Sequence, residues 1–319
     1  MKNVTLIFPG QGAQYVGMGS DLLNYASAKK VFDTAREALD FDITELMFNG
    51  PEEQLKLTEF TQPAIVTHSI ALLEVLKEKL NERGVGIKQV LGHSVGEYSA
   101  LVAAGSISLT DALRAVNKRG QFMQSATPEG VGAMYAILRV PSEKIDEACA
   151  AVSNESEKVM CANYNEPTQT VISGHAAACE RAVEWLKENY EGKQMAMPLK
   201  VSAPFHSSLM LPAEENLRGY LAKIEIKPNT IDYIANINAK RFAAGTSSES
   251  IEQNLVNQVS GSVLWSQSIS SLSADDTFIE VGPGKVLTGL NKKINKDFST
   301  FTMDKNLEGL TEFLNANNL

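Results

Sequence analysis

The chain of 319 residues is long enough to bury a large core, either as one large domain or as a domain with an insertion. Its 44% hydrophobic and 21% charged residues are typical of a globular protein. The net charge of −9 argues against a general nucleic-acid surface and against an anionic membrane surface, and no apolar run reaches the roughly 18 residues that would span a bilayer.

The cysteines and histidines predict neither a disulfide framework nor a metal site. There are 3 cysteines, an odd number, and they are widely spaced without a C-x-x-C motif. The 4 histidines lack the paired spacing of metal ligands. We therefore expect a reduced, cytoplasmic setting and no metal.

The first part of the chain alternates between strand and helix patterns. Pro63 is predicted at the start of the second helix, Gly84 just beyond its end, and Thr110 as the cap of the third helix. Alternating strands and helices predict a largely parallel sheet with helices on both faces, a hydrolase-like α/β fold. The predicted strands are 4–8 and 87–91, and the predicted helices are 26–39, 64–80 and 110–125.

The pattern changes over the middle of the chain to β-α-β-β-α-β, which is the ferredoxin-like order. We interpret residues 128–200 as an inserted subdomain between the two parts of the larger α/β subdomain, residues 1–127 and 201–319. The chain then returns to strand 277–281, and a tight turn at 282–284 precedes another helix. Within the insertion, strands are predicted at 132–140, 158–162, 168–173 and 194–201, helices at 142–152 and 176–189, and a turn at 163–167.

A serine lies between two glycines in the segment Gly92-His93-Ser94-Val95-Gly96-Glu97, between an apolar run and a helical pattern. This is the geometry of a nucleophile elbow, in which the glycines allow a tight turn and the serine hydroxyl projects from it. Backbone N–H groups after the serine are then available to stabilise an oxyanion. An ordinary strand–turn–helix is the alternative explanation of the segment alone.

His206 is the best candidate for the base that such a serine needs. It lies in a loop directly after the predicted insertion, where Phe205 is expected to shield the site from water. His93 adjoins the serine, but its side chain is expected to point elsewhere, so it has a supporting role at most. His68 is predicted to be a hydrogen-bonded core histidine, and His175 is predicted to be exposed.

Arg119 is unusual because it shares a helix face with apolar residues, including Val116 and Met123. Arg114 and Lys118 lie on the opposite, solvated face. A buried guanidinium needs an anionic partner, since an unpaired buried charge is very costly. Either a structural ion pair with a protein carboxylate or a fork that binds a substrate carboxylate satisfies this need.

The loop of residues 8–14 follows the first predicted strand. Because ligands of open α/β sheets bind at the carboxyl ends of the strands, the loop is expected near the site. The backbone N–H of Gln11 and that of Val95 are therefore candidates for an oxyanion hole.

Together these motifs resemble the malonyl-CoA:acyl carrier protein transacylases, the acyltransferases of fatty acid synthesis, whose fold also occurs in polyketide acyltransferases. The combination is specific although each piece is short, and it runs in the family's order over nearly the whole chain. The matching segments are 8–14, 61–64, 92–97, 118–120, 162–165, 204–207, 257–259 and 281–284.

The resemblance implies a role for each candidate residue. Ser94 is the acyl-accepting nucleophile, His206 the general base and later acid, and Arg119 the group that holds the malonyl carboxylate. Gln258 orients His206 through its backbone carbonyl, so no triad aspartate is needed. Val95 stands where leucine is usual, but its N–H is the functional group. The other substrate-binding candidates are Gln258, Met123, Phe205 and Asn163, and the resemblance implies no permanently bound cofactor.

The implied reaction is ping-pong transfer of malonyl from malonyl-CoA to the phosphopantetheine thiol of acyl carrier protein. Phe205 resembles the aromatic residue of malonyl-selective relatives. Lys187, Lys193 and Lys200 are weak candidates for docking the acidic carrier, and a monomer is expected. The alternatives are a free-standing acyltransferase of a polyketide pathway, an acyl-thioester hydrolase, and a binding protein without turnover.

Overall fold

The computed structural model describes residues 2–319, which form two β-sheets with helices packed around them. None of the helices in this range is long and apolar enough to cross a membrane. The strands are β1 (Asn3–Phe8), β2 (Gly86–Gly92), β3 (Gly132–Leu138), β4 (Val159–Glu166), β5 (Gln169–His175), β6 (Met195–Pro198), β7 (Asp232–Ile234), β8 (Arg241–Phe242), β9 (Thr277–Glu280) and β10 (Ser299–Thr302).

Helices follow most strands. The helices are α1 (Ala26–Ala38), α2 (Ile43–Asn49), α3 (Glu52–Leu55), α4 (Thr58–Glu82), α5 (Gly96–Ala103), α6 (Leu109–Ser125), α7 (Ser142–Val152), α8 (Ala176–Asn189), α9 (Leu211–Leu221), α10 (Ser248–Asn257), α11 (Trp265–Ser270), α12 (Val286–Ile294) and α13 (Leu310–Ala316).

The larger sheet has the strand order β10-β9-β1-β2-β7-β8 and is parallel except for the pair β7–β8. Alternate residues of β1 enter different cores, as the period of two in a strand requires. Leu6 and Phe8 pack with α4 and α6, while Ile7 packs on the opposite face with Trp265 of α11 and with α12. The sheet is thus covered on both faces, as the sequence predicted.

The smaller sheet has the order β4-β5-β3-β6, and all its pairs are antiparallel. Its chain order β3-α7-β4-β5-α8-β6 is the predicted ferredoxin-like arrangement. Both helices pack into a separate apolar core with this sheet, through residues such as Ile145 and Leu186.

Three local predictions were wrong. Pro63 is the sixth residue of α4 instead of lying at its start. The Glu59 carbonyl, to which a proline cannot donate, accepts from Asn117 Nδ2 at 2.8 Å. Ser108, rather than Thr110, caps α6, and its side chain accepts from the Asp111 N–H. The predicted turn at 163–167 belongs largely to β4, which continues to Glu166 through two register shifts.

The turn after β2 has the geometry of a nucleophile elbow. The positive φ lies at Ser94 itself, at 51°, and not at either glycine of the motif. The glycines are required because the backbone is crowded: a Cβ on Gly96 would stand 2.2 Å from the Phe8 carbonyl oxygen, and one on Gly92 would stand 2.0 Å from Gly96 backbone. The strained backbone dihedral therefore belongs to Ser94, the residue whose hydroxyl projects from the turn.

We predict that Gly96→Ala destabilises the protein by at least about 1–3 kcal/mol, because the new methyl group would overlap the β1 backbone. Urea unfolding followed by circular dichroism measures the change. The matched control is Gly219→Ala in α9, where a Cβ meets nothing within 4 Å and the helix gains about 0.5–1 kcal/mol. Equal effects of the two substitutions would contradict the crowding at the elbow.

Candidate active site

Ser94 and His206 meet at the carboxyl end of the parallel sheet, where the elbow follows β2. Ser94 Oγ lies 2.8 Å from His206 Nε2, although the residues are 112 positions apart in the chain. His206 also has a positive φ, 55°. Two non-glycine residues in the left-handed region, in contact with each other, are the kind of strain that concentrates at functional sites.

The hydrogen bonds of His206 determine its tautomer. Nδ1 lies 2.8 Å from the Gln258 carbonyl oxygen and 3.1 Å from that of Gly261. Because carbonyl oxygens only accept, Nδ1 carries the proton and Nε2 offers its lone pair to Ser94 Oγ. Burial, together with the charge of Arg119, lowers the pKa of His206 to about 3, so the imidazole is a neutral acceptor near pH 7.

Arg119 is buried beside the serine, with 1% of its surface exposed. One terminal nitrogen donates to Gln62 Oε1 at 2.9 Å, and the other donates to Gln258 Oε1 at 2.9 Å and to Ser94 Oγ at 3.1 Å. Within residues 2–319 it forms no ion pair with a carboxylate, so the first of the two alternatives, a structural ion pair, is absent. Desolvation lowers the pKa of Arg119, but a guanidinium stays charged.

Two glutamines thus hold the guanidinium, and the sequence did not assign that function to either. Gln62 lies on α4, which packs against α6, the helix of Arg119. The backbone carbonyl of Gln258 was expected to orient His206, and its side chain also accepts from Arg119. The inward arginine was itself a signal for such partners, since a buried guanidinium needs acceptors, but nothing in the local pattern identified them.

Asn236 and Glu97 support the elbow and were also missed. Asn236 follows β7; its Oδ1 accepts from the Ser94 N–H at 2.7 Å, and its Nδ2 donates to the Gly92 carbonyl at 2.6 Å. Glu97 is fully buried in the first turn of α5, and burial raises the pKa of its carboxyl to about 7. Gln258 Nε2 donates to Glu97 Oε2 at 2.7 Å and to the Ser94 carbonyl at 3.0 Å.

Gln11 follows β1 and lines the same cavity as Ser94, and Val95 directly follows the serine at the start of α5. Within the described part of the chain, neither backbone N–H donates to another protein group, so both are available to an added oxygen. The Gln11 side chain is held by Thr58 Oγ1 at 3.2 Å.

The site opens into a cavity of about 110 Å³ between the two sheets. Met123, Phe205 and Asn163 line it, as predicted for a substrate pocket, and Phe205 is 8% exposed. A second cleft of about 470 Å³ shares Leu199 and Val201 with this cavity and extends it along β3 toward the surface. The cavity therefore has room for a small reacting group, and the cleft has room for a longer extended arm.

The antiparallel sheet is joined to the loop that holds the base. Val263 donates to the Ala162 carbonyl at 2.8 Å and accepts from the Tyr164 N–H at 2.9 Å, which forms a short parallel bridge with the end of β4. Gly261, two residues earlier, accepts from His206 Nδ1. His93 Nε2 lies 2.8 Å from Asn165 Oδ1, also on β4.

The other histidines differ partly from expectation. His93 is among the residues that line the active-site cavity, while its ring lies 5.8 Å from that of Trp265 and its Nε2 contacts Asn165. His68 is buried in α4 as predicted but is not hydrogen-bonded: Nδ1 has no partner within residues 2–319, and Nε2 lies 3.6 Å from Asp304 Oδ1. His175 is half-buried, and its Nδ1 accepts from the Lys158 N–H.

The whole chain matches a family of acyltransferases. The family model described as acyl transferase domain matches residues 5–313, so the chain belongs to this family. In the site of this chain, the buried guanidinium of Arg119 lies 3.1 Å from Ser94 Oγ.

Within the family, the chain is similar to proteins named malonyl transacylases. A Bacillus subtilis (strain 168) protein named malonyl CoA-acyl carrier protein transacylase is 44% identical over 306 residues, covering 95% of this chain and 94% of that protein. The crystal structure of the Clostridium perfringens protein of the same name has a TM-score of 0.90 at 41% identity, covering 99% of this chain and 98% of that one. A malonyl-transacylase in complex with a type II PKS acyl-carrier protein has a TM-score of 0.90 at 37% identity, covering 98% of this chain and all of that one, 100%.

His68 is expected to make the protein less stable in acid. Its pKa is lowered by burial to about 4, whereas the unfolded chain binds a proton near pH 6.5. The free energy of unfolding should therefore fall as the pH drops from about 6.5 to 4, by roughly 1–3 kcal/mol from this residue. Urea unfolding at several pH values should give a shallower pH slope for His68→Leu; a slope equal to that of the wild type would contradict the assignment.

Proposed function

We propose that this protein transfers the malonyl group from malonyl-CoA to the phosphopantetheine thiol of an acyl carrier protein, for fatty acid synthesis, through a malonyl-serine intermediate. The observation that carries the proposal is the contact of 3.1 Å between the buried Arg119 guanidinium and Ser94 Oγ. A cation beside the nucleophile, without a carboxylate of its own, favours an acyl group that ends in a carboxylate. The names of the similar proteins agree with this substrate.

In the first half-reaction, Ser94 Oγ passes its proton to His206 Nε2 and attacks the thioester carbonyl of malonyl-CoA. The backbone N–H groups of Gln11 and Val95 stabilise the tetrahedral oxyanion. The intermediate collapses as the C–S bond breaks, and the leaving sulfur takes the proton from His206. The products are free coenzyme A and the malonyl ester of Ser94.

In the second half-reaction, the carrier's thiol gives its proton to His206 and attacks the serine ester carbonyl. Collapse returns the proton to Ser94 Oγ and leaves malonyl on the carrier. The neutral imidazole, tethered at Nδ1 by the Gln258 and Gly261 carbonyls, serves as base and then acid in both halves. Every proton transfer in the two half-reactions is between groups of the protein and of its substrates.

The cavity wall supports selectivity for a small acid. Arg119 pairs with the free carboxylate, and acetyl-CoA would leave this guanidinium without that partner. Met123 and Asn163 line the space around it, and Phe205 disfavours an α-methyl branch by its bulk. The cavity of about 110 Å³ has the size of a malonyl group rather than of a long acyl chain.

A type II polyketide pathway is the second candidate for the carrier, because one similar structure contains a PKS acyl-carrier protein. Transfer rates to purified carrier proteins of both pathways distinguish the two. Lys193 and Lys200 are exposed, and Lys200 lies between Leu199 and Val201 of the cleft. Lys187 pairs with Glu184 on α8, so Lys200 is the best of the three candidates for carrier docking. The monomeric state, the cytoplasmic location and the division into 1–127 with 201–319 and 128–200 stay predictions.

We predict that incubation with malonyl-CoA adds one malonyl group to the wild-type protein and none to Ser94→Ala. Intact-mass spectrometry after a short incubation measures the adduct. Carrier protein added afterwards should remove the group and become malonylated itself. A binding protein without turnover would form no adduct, and a hydrolase would release malonate at the same rate with and without carrier.

Arg119→Ala should slow malonyl transfer strongly, by about 2–5 kcal/mol in transition-state free energy, because it removes the partner of a desolvated carboxylate. Discrimination against acetyl-CoA should shrink, since acetyl makes no such pair. The measurement is kcat/KM for both substrates. Arg114→Ala is the matched control, because Arg114 is exposed on the same helix α6. A parallel fall of malonyl and acetyl rates would contradict the carboxylate-binding role.

A further inference from the structure

Glu97 is a buried carboxylate next to the nucleophile for which the reaction above has no use. Its Oε2 accepts from Gln258 Nε2 at 2.7 Å and from the Asn236 N–H at 3.2 Å. Its Oε1 has no hydrogen-bond partner among residues 2–319. Burying a carboxylate with one oxygen unsatisfied costs free energy that an apolar residue of the same size would not cost. Simple packing therefore does not account for an acid at this position.

The side-chain amide of Gln258 lies between the Glu97 carboxylate, which accepts hydrogen bonds, and the Arg119 guanidinium, which can only donate them. Its Nε2 faces the Glu97 carboxylate, and its Oε1 faces the Arg119 guanidinium at 2.9 Å. A flipped amide would direct its NH₂ group at the guanidinium and its oxygen at the carboxylate, which breaks both hydrogen bonds. In its ionised form, above its raised pKa, the carboxylate therefore permits one orientation of the amide.

The same glutamine reaches both halves of the site. Its backbone carbonyl accepts from His206 Nδ1, its side-chain oxygen accepts from Arg119, and its side-chain nitrogen donates to the Ser94 carbonyl. We propose that Glu97 is a positioning residue, whose carboxylate fixes the Gln258 amide and through it places the Arg119 guanidinium for the malonyl carboxylate. This inference rests on the proposed malonyl transfer.

Glu97→Gln is the sharpest single substitution because it keeps the size and removes the acceptor-only character. The new amide can direct its own NH₂ at Gln258, which then turns its oxygen away from Arg119. We expect kcat/KM for malonyl-CoA to fall about 10- to 100-fold, as for the loss of one or two buried hydrogen bonds to a charged group. The kcat/KM for acetyl-CoA, which does not use Arg119, should fall much less. The ratio of kcat/KM for malonyl-CoA to that for acetyl-CoA, the malonyl-to-acetyl ratio, should therefore decrease.

A double-substitution cycle tests whether Glu97 acts through Gln258. The proteins are wild type, Glu97→Gln, Gln258→Ala and the double variant; Gln258→Ala keeps the backbone carbonyl that holds His206. If the inference is correct, Glu97→Gln changes the malonyl-to-acetyl ratio little once Gln258 is alanine. A simple charge effect of Glu97 on Arg119, or a general packing role, would lower the ratio or the activity equally in both backgrounds and would overturn the inference.

Controls keep the test independent of folding and of the proposed function. Glu215→Gln on α9 makes the same chemical change at an exposed glutamate and should leave both rates unchanged. If Glu97→Gln does not fold, Glu97→Asp takes its place in the cycle with the same expected non-additivity, since it withdraws the carboxylate from Gln258. Absence of malonyl transfer by the wild type overturns the proposed function; normal wild-type transfer with an unchanged ratio in Glu97→Gln overturns this inference alone.

Discussion

The site depends on a positive charge held inside the protein beside an alcohol. Arg119 is almost fully buried, and its hydrogen-bond acceptors within residues 2–319 are neutral oxygens of Gln62, Gln258 and Ser94. Neutral acceptors stabilise a desolvated guanidinium less than a carboxylate does. The guanidinium is therefore held firmly but keeps capacity for an incoming anion.

That constraint explains several otherwise unrelated features of the fold. Helix α4 packs closely on α6, where a Cβ on Gly120 would stand 2.7 Å from Glu59 Cα, and this brings Gln62 to the guanidinium. The segment after α10 brings Gln258 from the other side. Ser94 is placed by a backbone conformation that costs free energy and that Asn236 holds by bonding its N–H. Elements far apart in the chain thus converge on one polar group.

Much of this could be predicted from local patterns. The glycines around Ser94 indicated a crowded turn, and the period of the helix put Arg119 on an inward face, because both signals depend only on near neighbours. The alternation of strands and helices predicted the parallel sheet, and the β-α-β-β-α-β order predicted the antiparallel one, although strands β7, β8 and β10 were not assigned. The pairing of Ser94 with His206 followed from the chemistry a serine needs, and the structure brings the two within hydrogen-bond distance.

What could not be predicted depends on contacts distant in the sequence. Pro63 is accepted inside α4 because Asn117, on another helix, bonds the carbonyl that the proline leaves free. β4 continues through a polar segment that resembles a turn, because β5 and Val263 supply its backbone partners. Gln62 and Asn236 carry no local signal at all, since their importance comes only from what the fold places beside them.

The bridge between Val263 and the end of β4 has a consequence for protein engineering. Val263 pairs with Ala162 and Tyr164, which belong to the antiparallel sheet. Gly261 lies in the same loop as Val263 and accepts from the imidazole of His206. A chimera that exchanges this sheet between relatives would therefore break the tether of the base unless it also carries the loop some 100 residues downstream. The antiparallel sheet and the loop that contains Gly261 and Val263 should therefore be exchanged together, because they are contiguous in space although separate in the gene.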